Sequence, residues 1–118
     1  KKEIFNNVGL FDENLPACED YDMWLRICCQ YQTLFLDEAL TNKFGGHDDQ
    51  LSKKHWGMDR FRIIALVKCI ESQILNDSDL EAAISMLMKK ISIFLKGAKK
   101  YGKNKYCEKF EAIANHYA

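Results

Sequence analysis

The sequence has no surplus of charge of either sign, and it contains a single proline. Its 17 lysines and arginines are balanced by 17 aspartates and glutamates, so no net charge is available to attract nucleic acid or an anionic membrane. An uninterrupted run of about 20 apolar residues, which a membrane-spanning helix needs, is also missing. We therefore expect no nucleic-acid partner and no transmembrane segment.

Cysteines at metal-binding or redox spacing are missing as well. The five cysteines are an odd number, and they form neither a CxxC pair nor a Cys/His spacing that suits zinc. Reduced thiols in a cytosolic protein fit this pattern, and the first residues lack the apolar stretch of a signal peptide. The chain begins without methionine in the middle of a pattern. We expect a cytoplasmic protein and a piece of something longer.

The 118 residues are 47% hydrophobic and 29% charged, which is enough apolar sequence for one compact core. The spacing of apolar residues predicts a mainly α fold of about five helices with one or two short β-strands. The predicted helices are one ending at Gly9, one over 19–31, one over 52–75, one over 78–102 and one over 106–117. The predicted extended segments are 33–36 and 39–44.

The pattern also predicts which face of the second helix is buried and where the fourth helix begins. In the helix over 19–31, the inward-facing stripe is predicted to contain Trp24, Ile27, Cys28 and Tyr31. Ser78 with Glu81 three residues later is a capping-box pattern that opens the fourth helix. The unusual polar residues all come before residue 75, so we divide the chain into a functional part, 1–75, and a helical extension, 76–118.

A cluster of three acids opens the second predicted helix. Glu19, Asp20 and Asp22 lie within four residues, and their mutual repulsion suits a cluster that accepts a proton. The same residues also fit a solvated first turn, because carboxylates are favoured at the positive end of a helix. Spacing alone leaves both interpretations open.

A glycine-rich loop leads into the third predicted helix. Gly46 offers a free backbone N–H to a phosphate, His47 offers an imidazole to a divalent metal, and Ser52 is a candidate N-cap. A surface loop with a Gly-Gly turn and a serine cap explains the same residues without a ligand.

Four segments taken together are similar to the second half of family 2 glycosyltransferases. They are VGLFDE at 8–13, CEDYDMWLR at 18–26, LDE at 36–38 and GHDDQLS at 46–52. The resemblance covers roughly residues 1–62, and the helical tail resembles the variable C-terminal extensions of such enzymes. It implies the C-terminal lobe of a GT-A α/β glycosyltransferase plus a helical extension.

The resemblance also implies an activity and roles for individual residues. An inverting enzyme of this kind moves a sugar from a nucleotide-diphosphate sugar to the hydroxyl of a glycan, lipid-linked or small-molecule acceptor. Asp20 matches the general base, with Glu19 beside it and Asp22 helping either to set the pKa of the base or to orient the acceptor. His47 matches the position near the divalent metal, Mn or Mg, and Ser52 both caps a helix and touches a phosphate.

The family's N-terminal half, with its nucleotide-binding sheet and metal-binding DxD motif, does not occur in these residues. The resemblance therefore implies that the metal and donor are bound mainly elsewhere and that this chain alone is inactive. A small helical protein-interaction module without catalysis is the alternative. A metal hydrolase built on Asp20, His47, Asp48 and Asp49 is a weaker third candidate. Proximity to a membrane surface through the lysines of the tail and formation of a homodimer stay open.

Overall fold

The computed structural model describes residues 1–46, 48 and 50–118, and for Ser52 it describes the backbone alone. All regular elements in these residues are helical. They are α1 (Lys2–Val8), α2 (Glu19–Cys28), α3 (Leu51–Lys54), α4 (Asp59–Glu71), α5 (Asp77–Lys100) and α6 (Cys107–Tyr117), with a 3₁₀ turn at Asn104–Tyr106.

The main core lies between α4, α5 and α6. Its buried members are Ile63, Leu66 and Ile70 from α4, Leu87, Ile91, Phe94 and Ala98 from α5, and Cys107 and Phe110 from α6. Aromatic rings pack closely at its centre, where the ring centroids of Phe94 and Phe110 are 4.6 Å apart. Because these apolar side chains come from three consecutive helices, their burial holds the bundle together.

Helix α4 has a second buried face, which carries the part of the chain around the acidic turn. Phe61 packs against Leu15, Ala17 and Cys18 in a smaller core. Farther along, the Sγ atoms of Cys29 and Cys69 are 3.0 Å apart, so α2 and α4 are in direct contact. All five cysteines are free, and burial raises the pKa of Cys29 to about 12, which keeps this thiol protonated.

The prediction of β-strands, and with it an α/β lobe of the GT-A type, is wrong for the part of the chain that the structure describes. Residues 33–36 and 39–44 run without regular secondary structure, and their apolar side chains point into solvent. A strand requires a neighbouring backbone to accept its N–H groups. The one backbone hydrogen bond inside this segment is local, from the N–H of Glu38 to the carbonyl of Leu36. The chain is a helical bundle.

Three local predictions also need correction. The helix over 52–75 is two helices, α3 and α4, because the backbone turns at Gly57 with φ +59°. The cap of α5 is Asn76, whose side chain accepts the N–H of Asp79 at 2.8 Å, so the capping box at Ser78 does not form. On α2 the buried residues are Asp22 and Met23, whereas Trp24 is exposed.

Among the described helices, none is both long enough and apolar enough to cross a membrane.

Candidate functional site

The acidic turn begins at a residue with an unusual backbone conformation. Cys18, the residue before α2, has φ 59° and ψ 24°, in the left-handed region that non-glycine residues rarely adopt. Its side chain is buried against Leu15, Ala17 and Phe61, and burial raises the pKa of the thiol. Packing therefore holds Cys18 in a backbone conformation that it would otherwise avoid. Because Cys18 directly precedes α2, its conformation sets the direction of the helix axis relative to the preceding loop.

Asp22 is buried in that turn and is fully engaged by two cations. It is 1% exposed, its Oδ1 accepts from Lys68 Nζ at 2.7 Å, and its Oδ2 accepts from Arg26 Nε at 3.0 Å. A buried carboxylate is tolerated when it is paired and hydrogen-bonded in this way. Both oxygens of Asp22 are used inside the fold, which favours a structural role for this residue over contact with an acceptor.

Lys68 and Arg26 extend this network to the segment before α2. Lys68 Nζ also donates to Asp12 Oδ2 at 2.6 Å, and Arg26 donates to the carbonyls of Val8 and Leu10. Burial alone would lower the pKa of Lys68, but its hydrogen bonds to Asp12 and Asp22 outweigh this effect and leave the pKa raised. The hydrogen bond from Lys68 lowers the pKa of Asp12. We call Asp12, Asp22, Arg26 and Lys68 the charge network.

Asp20 lies in the same turn but faces solvent. Among the described residues, the one donor to its carboxylate is the backbone N–H of Tyr21, at 2.7 Å from Oδ1. No lysine or arginine of the described chain forms an ion pair with Asp20. Glu19 is half-buried beside it. Of the three acids, Asp20 is the exposed one with an oxygen available to an incoming hydroxyl.

The surroundings of Asp20 are apolar, which the sequence pattern did not indicate. A cavity of about 140 Å³ lies beside the carboxylate, and its other lining residues are Phe5, Phe11, Met23, Trp24 and Ile27. The three aromatic side chains are all exposed, and Trp24 is 60% exposed. Asp20 is the single charged residue among the lining residues.

The glycine-rich loop is organised by residues on either side of it. The carbonyl of Gly46 accepts from Lys53 Nζ at 2.6 Å, and its N–H donates to Gln50 Oε1 at 3.4 Å. The backbone N–H predicted to meet a phosphate therefore already has a weak partner. The prediction of Ser52 as an N-cap is wrong, because α3 begins at Leu51 and the residue at its N-cap position is Gln50. His47 and the side chain of Ser52 lie outside the described residues, so their predicted contacts with a metal or a phosphate stay predictions.

The two predicted parts of the site are not joined in the described residues. No hydrogen bond or ion pair of the described chain connects the acidic turn with Gly46. The same residues contain no group of three or more histidine, cysteine, aspartate or glutamate side chains placed to hold a metal ion. The described part of the chain does not provide a metal site by itself.

Part of the sequence is similar to known proteins. Over 52 residues the chain is 38% identical to an uncharacterized glycosyltransferase of Rickettsia bellii and to one of Rickettsia felis. It is 40% identical over 52 residues to an uncharacterized glycosyltransferase of Rickettsia conorii. The match is to glycosyltransferases. It covers 44% of this chain but only 7% to 8% of the length of these relatives.

No protein-family model and no solved structure matches the chain. The partial similarity supports the prediction of a glycosyltransferase at that coarse level.

Proposed function

We propose that this chain carries the acceptor side of an inverting family 2 glycosyltransferase, with Asp20 as the general base. The observation that carries the proposal is the different environment of two acids in one helical turn. Asp22 is neutralised by Lys68 and Arg26, while Asp20 is exposed and unpaired among the described residues. The partial similarity to glycosyltransferases and the motif resemblance support the same assignment.

In the proposed reaction the acceptor hydroxyl donates a hydrogen bond to the carboxylate of Asp20. As its oxygen attacks the anomeric carbon of the donor sugar, the proton passes to Asp20 and the bond to the nucleoside diphosphate breaks. Attack opposite to the leaving group inverts the anomeric centre. Glu19 flanks the base, and the charge network fixes the direction of α2 and so the position of Asp20.

In this proposal the nucleotide-diphosphate sugar and a divalent metal are bound mainly outside the 118 residues. The metal would offset the charge of the leaving diphosphate. Gly46 and His47, which precede α3 in the sequence, and Ser52, which belongs to α3, are proposed to approach the donor. No described group of side chains fits a metal, and the steps assigned to this chain do not involve one.

The first experiment is Asp20→Asn in the full-length gene product, assayed for transfer from a panel of nucleotide sugars with Mg or Mn. Loss of a general base lowers kcat by a factor of about 100 or more, while binding of the donor is retained. Asp77→Asn is the matched control, because Asp77 is also an exposed carboxylate in the first turn of a helix. Wild-type transfer rates in Asp20→Asn would show that the base is another residue.

One observation favours the second candidate, a protein-interaction module. The segment over 33–44 exposes large apolar side chains, among them Leu34 and Phe35, which are 94% and 89% exposed. Exposed apolar patches on a soluble domain commonly mark interaction surfaces. A full-length protein that binds another protein through this segment and turns over no nucleotide sugar would favour that function.

A further inference from the structure

The cavity beside Asp20 is built by three separate parts of the chain. Phe5 comes from α1, Phe11 from the loop after it, and Asp20, Met23, Trp24 and Ile27 from α2. Single exposed aromatic residues are ordinary on protein surfaces. Three exposed aromatic side chains line one cavity with a carboxylate that has no cationic partner among the described residues. Packing does not explain this arrangement, because burial would place the aromatic side chains inside the fold.

Hydrogen bonds from Arg26 tie the backbone between Phe5 and Phe11 to α2. Arg26 donates to the carbonyls of Val8 and Leu10, and these two residues lie between Phe5 and Phe11 in the sequence. Asp20 and Trp24 are four residues apart on α2, so they lie on the same face of the helix. The carboxylate and the aromatic groups are therefore positioned together before any ligand arrives.

This combination suits a sugar ring. A pyranose presents C–H groups on its faces and hydroxyl groups at its edges. Aromatic faces carry partial negative charge and attract C–H groups, and a carboxylate accepts hydrogen bonds from hydroxyls. A cavity of about 150 Å³ can hold one benzene ring, so the space of about 140 Å³ beside Asp20 is the size of one six-membered ring.

The lining also argues against an anionic acceptor. No lysine or arginine is among the described residues that line the cavity, and the one charged group among them is negative. A phosphate group next to Asp20 would be repelled, since two like charges at short range disfavour each other.

We propose that the acceptor is a pyranoside without an anionic group at this position, whose ring stacks on Trp24 while one of its hydroxyls donates to Asp20. Phe5 and Phe11 form the other aromatic walls of this subsite. The inference rests on the proposed function, because it takes Asp20 as the residue that receives the acceptor proton. It adds the chemical class of the acceptor and a residue that binds it.

The first test is binding to the 118-residue chain, whose two cores are formed by its own residues. Methyl β-glucopyranoside, methyl β-galactopyranoside and methyl N-acetyl-β-glucosaminide are titrated while the indole N–H signals of both tryptophans are followed by NMR. We expect the signal of Trp24 to shift with at least one glycoside. The signal of Trp56, which packs on Phe94 and Tyr106, is the internal control and should not move.

The second test is kinetic and uses the full-length gene product. We expect Trp24→Ala to raise the KM for the acceptor about tenfold with little change in kcat, because a stacking contact is lost that is present in ground and transition states alike. Trp24→Phe keeps an aromatic face and should stay within about threefold of the wild type. Tyr101→Ala removes an exposed aromatic side chain at the end of α5 and should have no effect.

The outcomes separate this inference from the proposed function. If Asp20→Asn abolishes transfer but Trp24→Ala leaves the acceptor KM unchanged, the stacking subsite is wrong and the base assignment stands. If Asp20→Asn is fully active while a glycoside still shifts the Trp24 signal, the sugar subsite stands and the base assignment fails. Citronellyl phosphate, which has a phosphate and an apolar chain but no sugar ring, is titrated as the contrasting ligand. A Trp24 signal that shifts with this compound and with none of the glycosides would overturn the inference. If Trp24→Ala does not fold, the wild-type titration still decides.

Discussion

At the scale of single residues, acids that look alike in the sequence have different partners in the structure. Asp12 and Asp22 share one lysine, and Asp20 shares none of the described cations. This difference could not be predicted from the sequence, because Lys68 is 46 residues from Asp22 and 56 from Asp12. Spacing within the acidic turn did not distinguish the three acids, and the assignment of Asp20 as the base came from the motif resemblance alone.

The charge network predicts a stability effect. Lys68→Met keeps the length of the side chain but leaves Asp12 without a cation and Asp22 with Arg26 alone. We expect this variant to lose about 1–3 kcal/mol of unfolding free energy, since a buried carboxylate loses a charged hydrogen bond and Lys68 is partly exposed. Urea unfolding followed by circular dichroism measures the loss. Lys99→Met, which breaks an exposed pair with Glu111, should show no measurable change, and equal effects of the two variants would contradict a special role for Lys68.

The same network predicts how this effect depends on pH. Lys68 holds the pKa of Asp12 below its ordinary value of 3.8. A carboxyl group with a lowered pKa in the folded state stabilises the fold above its unfolded pKa, and this contribution is lost as the pH falls through the folded value. The difference in unfolding free energy between the wild type and Lys68→Met should therefore be largest at about pH 7 and become smaller below about pH 4. A difference that is constant between about pH 7 and pH 3 would show that Asp12 contributes nothing.

At the scale of elements, local sequence patterns predicted helices well and strands badly. Helices α1, α2, α5 and α6 lie within the predicted ranges or within a residue or two of them, because their apolar spacing and end residues are local signals. The strands at 33–36 and 39–44 were wrong because a strand depends on a partner that no local pattern contains. The buried face of α2 was wrong for a related reason. The pattern identified a stripe with Trp24, but α4 covers the side that contains Asp22 and Met23.

The break between α3 and α4 can be tested at Gly57. Both Gly57 and Gly102 have positive φ, so alanine is strained at either position and should cost about 1 kcal/mol for the backbone alone. At Gly57 the added Cβ would also lie 3.0 Å from Cε2 of Phe94, a ring packed between Trp56 and Phe110. At Gly102 nothing lies within 4 Å of it.

We therefore expect Gly57→Ala to destabilise the chain by about 1 kcal/mol more than Gly102→Ala, because overpacking is added to backbone strain. Thermal and urea unfolding of the two variants measure the difference. Equal losses would mean that the Phe94 ring moves aside without cost.

At the scale of the whole molecule, the segment over 33–44 stands out because its apolar side chains are exposed to solvent. Leu34, Phe35, Leu36, Leu40 and Phe44 are all exposed, and the backbone around them forms no ladder with any described residue. Unpaired extended backbone with apolar side chains tends to pair with another chain. We therefore expect the 118-residue chain to self-associate through this segment.

Light scattering after size exclusion tests this expectation. The double variant Leu34→Lys, Phe35→Lys should be monomeric at concentrations where the wild type associates, with unchanged helical circular dichroism because no described helix contains these residues. The control double variant Ile74→Lys, Tyr101→Lys adds the same charge at other exposed apolar positions and should still associate. A monomeric wild type, or dissociation in the control variant as well, would contradict the assignment to this segment.

The position of Lys68 also changes where a functional unit of this chain ends. The motif resemblance stops at about residue 62, so a fragment designed from the motifs alone would be cut there. Such a fragment would keep Asp12, Asp22 and Arg26 but lose the lysine that bridges both acids. It would also lose most of α4, on which α2 packs. A unit that keeps the charge network intact therefore extends at least through Lys68, in the third turn of α4, and a boundary drawn at the end of the motifs would separate the acidic turn from its counter-charge.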